Sequence, residues 1–298
     1  MYQSRATGPA AILLVAALAA CSAATSASHT PGTATPSASA APSSAAPSPS
    51  VAAADSLVAI DDGRSLWLEC AGTGDPTIIL ESGLGGDHRT WERVQPALAE
   101  SARVCTYDRA GIGESESAPA PRTAATAVDD LHALLEAAEI SPPYVVVGFS
   151  FGGAITQLFA QTYPDEIAGL VLVESNHPLE AEQFEANLTP EQVDEDRAGA
   201  LDNPEGMDVF TSLDELKAAG RLPDVPLVVV TAGISEGWPP GWDAETFDAL
   251  RAAQQADLAT FTPQGRQVVA ESSAHQVPAQ QPTVIVEAVE SVLAELGG

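Results

Sequence analysis

From residue 55 onward, short apolar runs alternate with longer stretches of helical spacing. The short runs are Leu57–Ile60, Ser65–Cys70, Thr77–Leu80, Arg103–Tyr107, Tyr144–Gly148, Leu170–Val173, Leu227–Thr231 and Gln267–Ala270, and each reads as a strand. Several of them, YVVVG at 144–148 and LVVVT at 227–231 among them, are largely apolar rather than alternating. That pattern belongs to parallel strands covered on both faces. Between the runs, Val128, Leu131, Leu134 and Leu135 form one helical stripe. Val284, Ile285, Ala288, Val289, Val292, Leu293 and Leu296 form another, which opens after Pro282 and stops at Gly297 and Gly298. Strands alternating with helices predict an α/β fold with a mostly parallel, eight-stranded, doubly wound sheet and helices on both faces.

One stretch departs from the alternation. From Glu174 to Asp224 there are 14 acids against 3 bases, a net charge of −11, and no strand signal. It predicts a solvated helical insertion over about 176–223, placed between two strands where a cap or lid over a site would sit, or where a surface elaboration would be tolerated.

Before residue 55 the pattern changes again. A single charge, Arg5, precedes the apolar run Ala10–Ala20, which has the length of a signal-peptide core and is too short to cross a bilayer as a helix. The run ends in Leu18-Ala19-Ala20-Cys21, which is similar to the lipobox of bacterial lipoproteins. That likeness implies cleavage before Cys21, a lipid on the cysteine, and a protein held on the extracytoplasmic face of the cell membrane. Of the 33 residues from 22 to 54, 30 are Ser, Ala, Thr or Pro. Such a composition buries too little apolar surface to offset its ordering entropy, so a disordered tether is expected. The predicted organisation is a signal peptide (1–20), a lipid-anchored tether (21–54) and one domain (55–298).

Charge narrows the partners. The chain carries 12 Lys and Arg against 41 Asp and Glu, a net −29, and its one lysine is Lys217. Phosphate backbones need clustered cations, so nucleic acid is excluded as a partner, and an anionic membrane surface would repel the domain. With Cys21 assigned to lipid, Cys70 and Cys105 remain as an even pair in an oxidising compartment.

The sharpest chemical signal is Gly148-Phe149-Ser150-Phe151-Gly152, directly after an apolar strand and directly before a helix-compatible stretch. A serine on a tight strand-to-helix turn has its hydroxyl exposed at the carboxyl edge of the sheet, and the crowded turn needs small neighbours. The N–H groups of the new helix favour developing negative charge beside it. Phe149 and Phe151 are compatible either with an apolar acyl pocket or with packing against the sheet.

With this elbow the chain resembles the α/β-hydrolase superfamily over essentially all of 55–298. Tyr107-Asp108-Arg109-Ala110-Gly111-Ile112-Gly113-Glu114-Ser115 is similar to the family's turn after the fourth strand, and Glu81-Ser82-Gly83-Leu84-Gly85-Gly86 to its oxyanion loop, although Ser82 stands where many members have histidine. The resemblance implies oxyanion donors at the N–H groups of Leu84 and Phe151. The family's strand order also implies that the second and fourth strands are neighbours, which would bring Cys70 and Cys105 together as a disulfide.

A serine needs a base and a group that orients the base. Of the five histidines, His275 lies in SSAHQVP between the last strand and the last helix, where the family's catalytic histidine resides. The acid is open between two positions. The loop after the seventh strand, AGISEGW, holds no aspartate and offers Glu236; the end of the sixth strand offers Glu174, a position some relatives use, and Glu174 is favoured. The resemblance therefore implies a serine hydrolase acting on small ester-like substrates, with an apolar acyl part suggested by the flanking phenylalanines and no cofactor required. A serine nucleophile, rather than aspartate, speaks against dehalogenase and epoxide-hydrolase chemistry. Peptidase, thioesterase or perhydrolase activity would use the same residues, and a non-catalytic cell-surface binding module is the alternative of a different class.

Overall fold

A computed structural model describes residues 54–60 and 63–297. The expected signal peptide, Cys21 and nearly all of the expected tether lie outside the described residues; Ala54, at the tether's end, already belongs to the first strand.

The strands are β1 (Ala54–Ala59), β2 (Ser65–Ala71), β3 (Thr77–Glu81), β4 (Val104–Tyr107), β5 (Tyr144–Phe149), β6 (Ile167–Val173), β7 (Leu227–Ala232) and β8 (Gly265–Ala270). They form one eight-stranded sheet in the order β1-β2-β4-β3-β5-β6-β7-β8. The pairings of β2 with β1 and with β4 are antiparallel and the others are parallel. The helices among the described residues are α1 (Gln95–Leu98), α2 (Ala124–Ala137), α3 (Phe151–Thr162), α4 (Glu180–Glu185), α5 (Pro190–Leu201), α6 (Val209–Ala219), α7 (Ala244–Leu258), α8 (Val277–Gln280) and α9 (Pro282–Leu296).

The unbroken apolar runs serve two cores at once. Val146, Leu170, Leu172 and Val229 face the core shared with α2, α3 and α6, whereas Val145, Val147, Val171 and Val228 face the one shared with α1 and α9. Successive strand residues point to opposite faces, so a strand covered on both sides has no polar position to spare. Each fully buried aliphatic side chain of this kind contributes about 1.5–3 kcal/mol. The two stripes read from the sequence lie on the buried faces of α2 and α9, except that Leu293 is half-buried and Leu296, at the end of α9, is exposed.

Cys70 and Cys105 oppose each other in the β2/β4 register and are joined by a disulfide, with a Cα–Cα distance of 4.1 Å.

The acid-rich stretch holds α4, α5 and α6, but only part of it is solvated. No residue of α4 or α5 is fully buried, whereas Ser212, Leu213 and Leu216 of α6 are. Ser212 Oγ and a Glu215 carboxylate oxygen accept the Ala124 and Ala125 N–H groups at the start of α2, both at 2.9 Å. Residues 206–208 bond to Arg122: its N–H donates to Gly206 O, and its carbonyl accepts from the Asp208 N–H. The expectation of a wholly solvated insertion fails at this second half because its acids serve as caps and counterions.

Candidate active site

Ser150 sits between β5 and α3 with φ of 54° and ψ of −124°, outside the comfortable regions for a side-chain-bearing residue. The surroundings hold it there. The Ser150 N–H donates to Val173 O at 2.9 Å, and Ser150 O accepts from the Gly153 N–H at 2.8 Å. The flanking glycines are required by contact: a Cβ on Gly152 would lie 2.3 Å from Ser82 O, and one on Gly148 would lie 2.6 Å from Gly152 O. The turn can therefore press against the loop after β3 only without side chains.

His275 lies in the loop between β8 and α8, fixed through Ile234 N–H to Ser273 O at 3.0 Å and Ala274 N–H to the Gln280 side chain at 2.7 Å. Its Nε2 is 3.0 Å from Ser150 Oγ, and its Nδ1 is 3.3 Å from Glu174 Oε2. Glu174 follows β6 directly, also at positive φ (47°), with its N–H donating to Val230 O at 2.8 Å. Its Oε1 accepts the Ala232 N–H at 2.7 Å. Burial pushes the Glu174 carboxyl up, but the neighbouring His275, the charge of Arg251 and the Ala232 N–H outweigh it and hold the group below its ordinary value. Glu236 is exposed in the β7–α7 loop and forms no hydrogen bond with His275.

The other histidines inside the domain have different partners. His88 stacks on Trp67 at 4.0 Å and meets the buried Asp108 at 2.9 Å. His132 stacks on Tyr163 at 4.0 Å. The buried His177 accepts the Leu179 N–H at Nδ1, at 3.1 Å, and meets Asp257 at Nε2, at 3.0 Å.

The loop after β3 reaches the serine so closely that a Cβ on Gly83 would lie 3.2 Å from Ser150 Cβ. The N–H groups of Leu84 and Phe151 donate to no acceptor among the described residues. Arg109 holds this loop from beneath. It is 2% exposed, donating to Ser82 O (2.5 Å) and Gly83 O (2.6 Å). Two more N–H groups go to Glu205 at 2.7 and 2.6 Å, and the fifth goes to Glu81. Glu205 also accepts the Gly85 N–H at 2.6 Å. All five guanidinium donors are thus engaged, as a buried cation requires. Burial pushes Glu81 up despite Arg109, and its partner Tyr107 is pushed up by the same burial. Glu205 is raised by burial but brought below its ordinary value by the charge and N–H groups of Arg109. Arg109 stands in the motif read after the fourth strand, but Glu205 lies among 14 acids with nothing local to mark it.

Two cavities lie in this region, and only the first is lined by His275. One, of about 420 Å³, is lined by Glu174, Gly233, Glu236, Trp238, Arg251 and His275. The other, of about 230 Å³, is walled by Phe184, Phe210, Leu213, Trp238 and Trp242. Trp238 is common to both. Phe149 and Phe151 face neither: both are buried, in the cores on opposite sides of the sheet. Arg251, on α7, has no signature in the sequence; its Nη2 is ion-paired to Glu174 Oε2 and lies 2.8 Å from His275 Nδ1.

The family model describing the α/β-hydrolase fold matches residues 76–281, about two thirds of the chain. The chain belongs to the α/β-hydrolase fold family. The Bacillus subtilis protein YqjL is 30% identical over 248 residues, covering 77% of this chain and 93% of its own. A shorter match, 37% identical over 105 residues, covers 34% of this chain and 33% of an AB hydrolase superfamily protein from Gibberella zeae. Among solved structures, a thermophilic esterase from Thermogutta terrifontis superposes with a TM-score of 0.58 at 23% identity, over 82% of this chain and 98% of its own. That likeness places this α/β-hydrolase by fold.

Proposed function

We propose that the chain is a serine hydrolase of ester-like carbonyl substrates, with Ser150 as nucleophile, His275 as general base and Glu174 as the acid that orients it. The observation that carries this reading is the line from Ser150 Oγ to His275 Nε2 (3.0 Å) and from His275 Nδ1 to Glu174 (3.3 Å), beginning at a strained elbow. Ser150 Oγ attacks the carbonyl carbon as its proton passes to Nε2. The imidazolium returns that proton to the leaving oxygen, and water opens the acyl-serine by the same route. Glu174, held below its ordinary carboxyl value, is ionised at neutral pH and stabilises the imidazolium. The N–H groups of Leu84 and Phe151 receive the oxyanion; one such donor contributes about 3–4 kcal/mol to the transition state. General acid–base transfer contributes roughly 10²–10⁴ in rate. Phe149 and Phe151, buried in the two cores, do not receive the substrate's apolar part.

The same proposal places the enzyme outside the cytoplasmic membrane, anchored by lipid on Cys21. The Cys70–Cys105 disulfide supports an oxidising location. A fluorophosphonate probe tests the nucleophile: it labels the unmodified protein and not Ser150→Ala, and p-nitrophenyl acetate turnover falls with it. Labelling of both proteins, or of neither, sinks the reading. Comparing ester, thioester and peptide substrates on the same protein separates esterase from the other acyl-transfer activities.

A further inference from the structure

The contact between Arg251 and His275 bears on how this site is turned on, and it rests on the hydrolase reading above. A guanidinium carries only donors. An Nη2 to Nδ1 separation of 2.8 Å is therefore a hydrogen bond only if Nδ1 presents its lone pair. The neutral imidazole then carries its proton on Nε2, pointing at Ser150 Oγ 3.0 Å away. In that tautomer Nε2 has no lone pair to take the serine's proton. The alternative tautomer would set an Nδ1–H against a guanidinium N–H.

A second observation agrees. Arg251 Nη2 is also ion-paired to Glu174 Oε2, the oxygen that His275 needs, and the imidazole stands 3.3 Å from that oxygen. Charge-assisted bonds of this kind close to about 2.7–2.9 Å when nothing intervenes. One guanidinium nitrogen thus touches both acid and base and competes with each for the other.

The guanidinium has somewhere to go. The Arg251 side chain is 35% exposed and lines the 420 Å³ cavity. Asp248, three residues earlier on α7 and therefore on the same helix face, lines that cavity too. One Asp248 oxygen accepts from Ser235 Oγ (2.7 Å) and Trp238 Nε1 (2.8 Å), and the other has no hydrogen-bond partner among the described residues.

We propose that Arg251 is a positioning residue that holds His275 in the Nε2–H tautomer in the resting protein, and that its swing toward Asp248 lets Nδ1–H close onto Glu174 and readies Nε2 for Ser150. The switch moves one proton from Nε2 to Nδ1 through solvent and leaves the imidazole's charge unchanged.

Arg251→Met keeps the aliphatic stem and removes every donor. In 15N-histidine-labelled protein, with His275→Gln identifying the signals, the unmodified chain shows an unprotonated Nδ1 and a protonated Nε2. Arg251→Met shows the reverse, and its kcat on a small ester at pH 8 rises about three- to tenfold with KM little changed. A protonated Nδ1 in the unmodified chain overturns the proposal. So does an Arg251→Met protein whose nitrogen signals do not exchange, or one whose kcat falls, which would mark a structural role. The nitrogen signals are read without substrate, so they stand apart from probe labelling of Ser150, whose failure would sink the hydrolase reading instead.

Discussion

Replacing Glu205 by alanine would strike the fold and the candidate site together, by amounts that can be worked from its contacts. Its carboxylate accepts three N–H groups, two from Arg109 at 2.7 and 2.6 Å and one from Gly85 at 2.6 Å. At about 1.5–3 kcal/mol for each bond to a charged group, the gross loss is roughly 4.5–9 kcal/mol. Two effects reduce it. The carboxylate's own desolvation penalty disappears, and Arg109 keeps Glu81 as a buried counterion. Measured losses on breaking buried ion pairs, about 3–5 kcal/mol, are the better guide. That is a large share of a total stability of about 5–15 kcal/mol. At a urea slope of about 3 kcal/mol/M the variant's midpoint falls by roughly 1–2 M. Freeing Gly85 also loosens the loop carrying the Leu84 N–H, so kcat on a small ester falls about 10- to 100-fold, below the 10²–10³ typical of losing an oxyanion donor outright. Glu182→Gln, which removes an exposed partner of Lys217, is the control and leaves both quantities unchanged. An unchanged urea midpoint in Glu205→Ala would refute the reasoning, because it would mean that the clamp contributes nothing net.

Two further outcomes are expected. Glu174→Gln lowers kcat by two or more orders of magnitude while Glu236→Gln changes it less than twofold, and the reverse result moves the acid to the β7–α7 loop. Glu174 and Glu205 are both held below the ordinary 4.5, so the stability they supply is fully present above pH 4.5 and is lost as the pH falls through their depressed values. Glu81, pushed up by burial, has the opposite sign and gains as it is protonated. Urea midpoints taken between pH 7 and 3.5 should therefore fall below pH 4.5, and fall less steeply in Glu205→Gln; parallel profiles would contradict the assignment of Glu205.

How much of this was legible beforehand depended on how local each cause is. The strands of the sheet announced themselves because a strand buried on both faces must be apolar at nearly every position, as at Val145, Val146 and Val147. The elbow was legible for a related reason. Gly148 and Gly152 are where the chain is so crowded that a Cβ would strike backbone, and that constraint is written into the five residues themselves.

Charged groups gave up their roles less readily. A carboxylate's function depends on what lies across the fold, and nothing in its immediate sequence reports that. The sequence favours Glu174 over Glu236 from a family likeness alone, and it is the fold that sets Glu174 Oε2 3.3 Å from His275 Nδ1. Glu205 looked like one solvated acid among many, yet it is buried 96 residues from its partner Arg109. Arg251 sits in a helix with no motif around it, and only packing α7 against β7 and β8 sets its guanidinium beside both acid and base. The sequence by itself determined the layered sheet and the elbow, because apolar periodicity and steric crowding act over a few residues. Tertiary structure alone decided which charges meet, because Coulomb attraction and hydrogen bonding act between groups that the chain brings together only after it has folded.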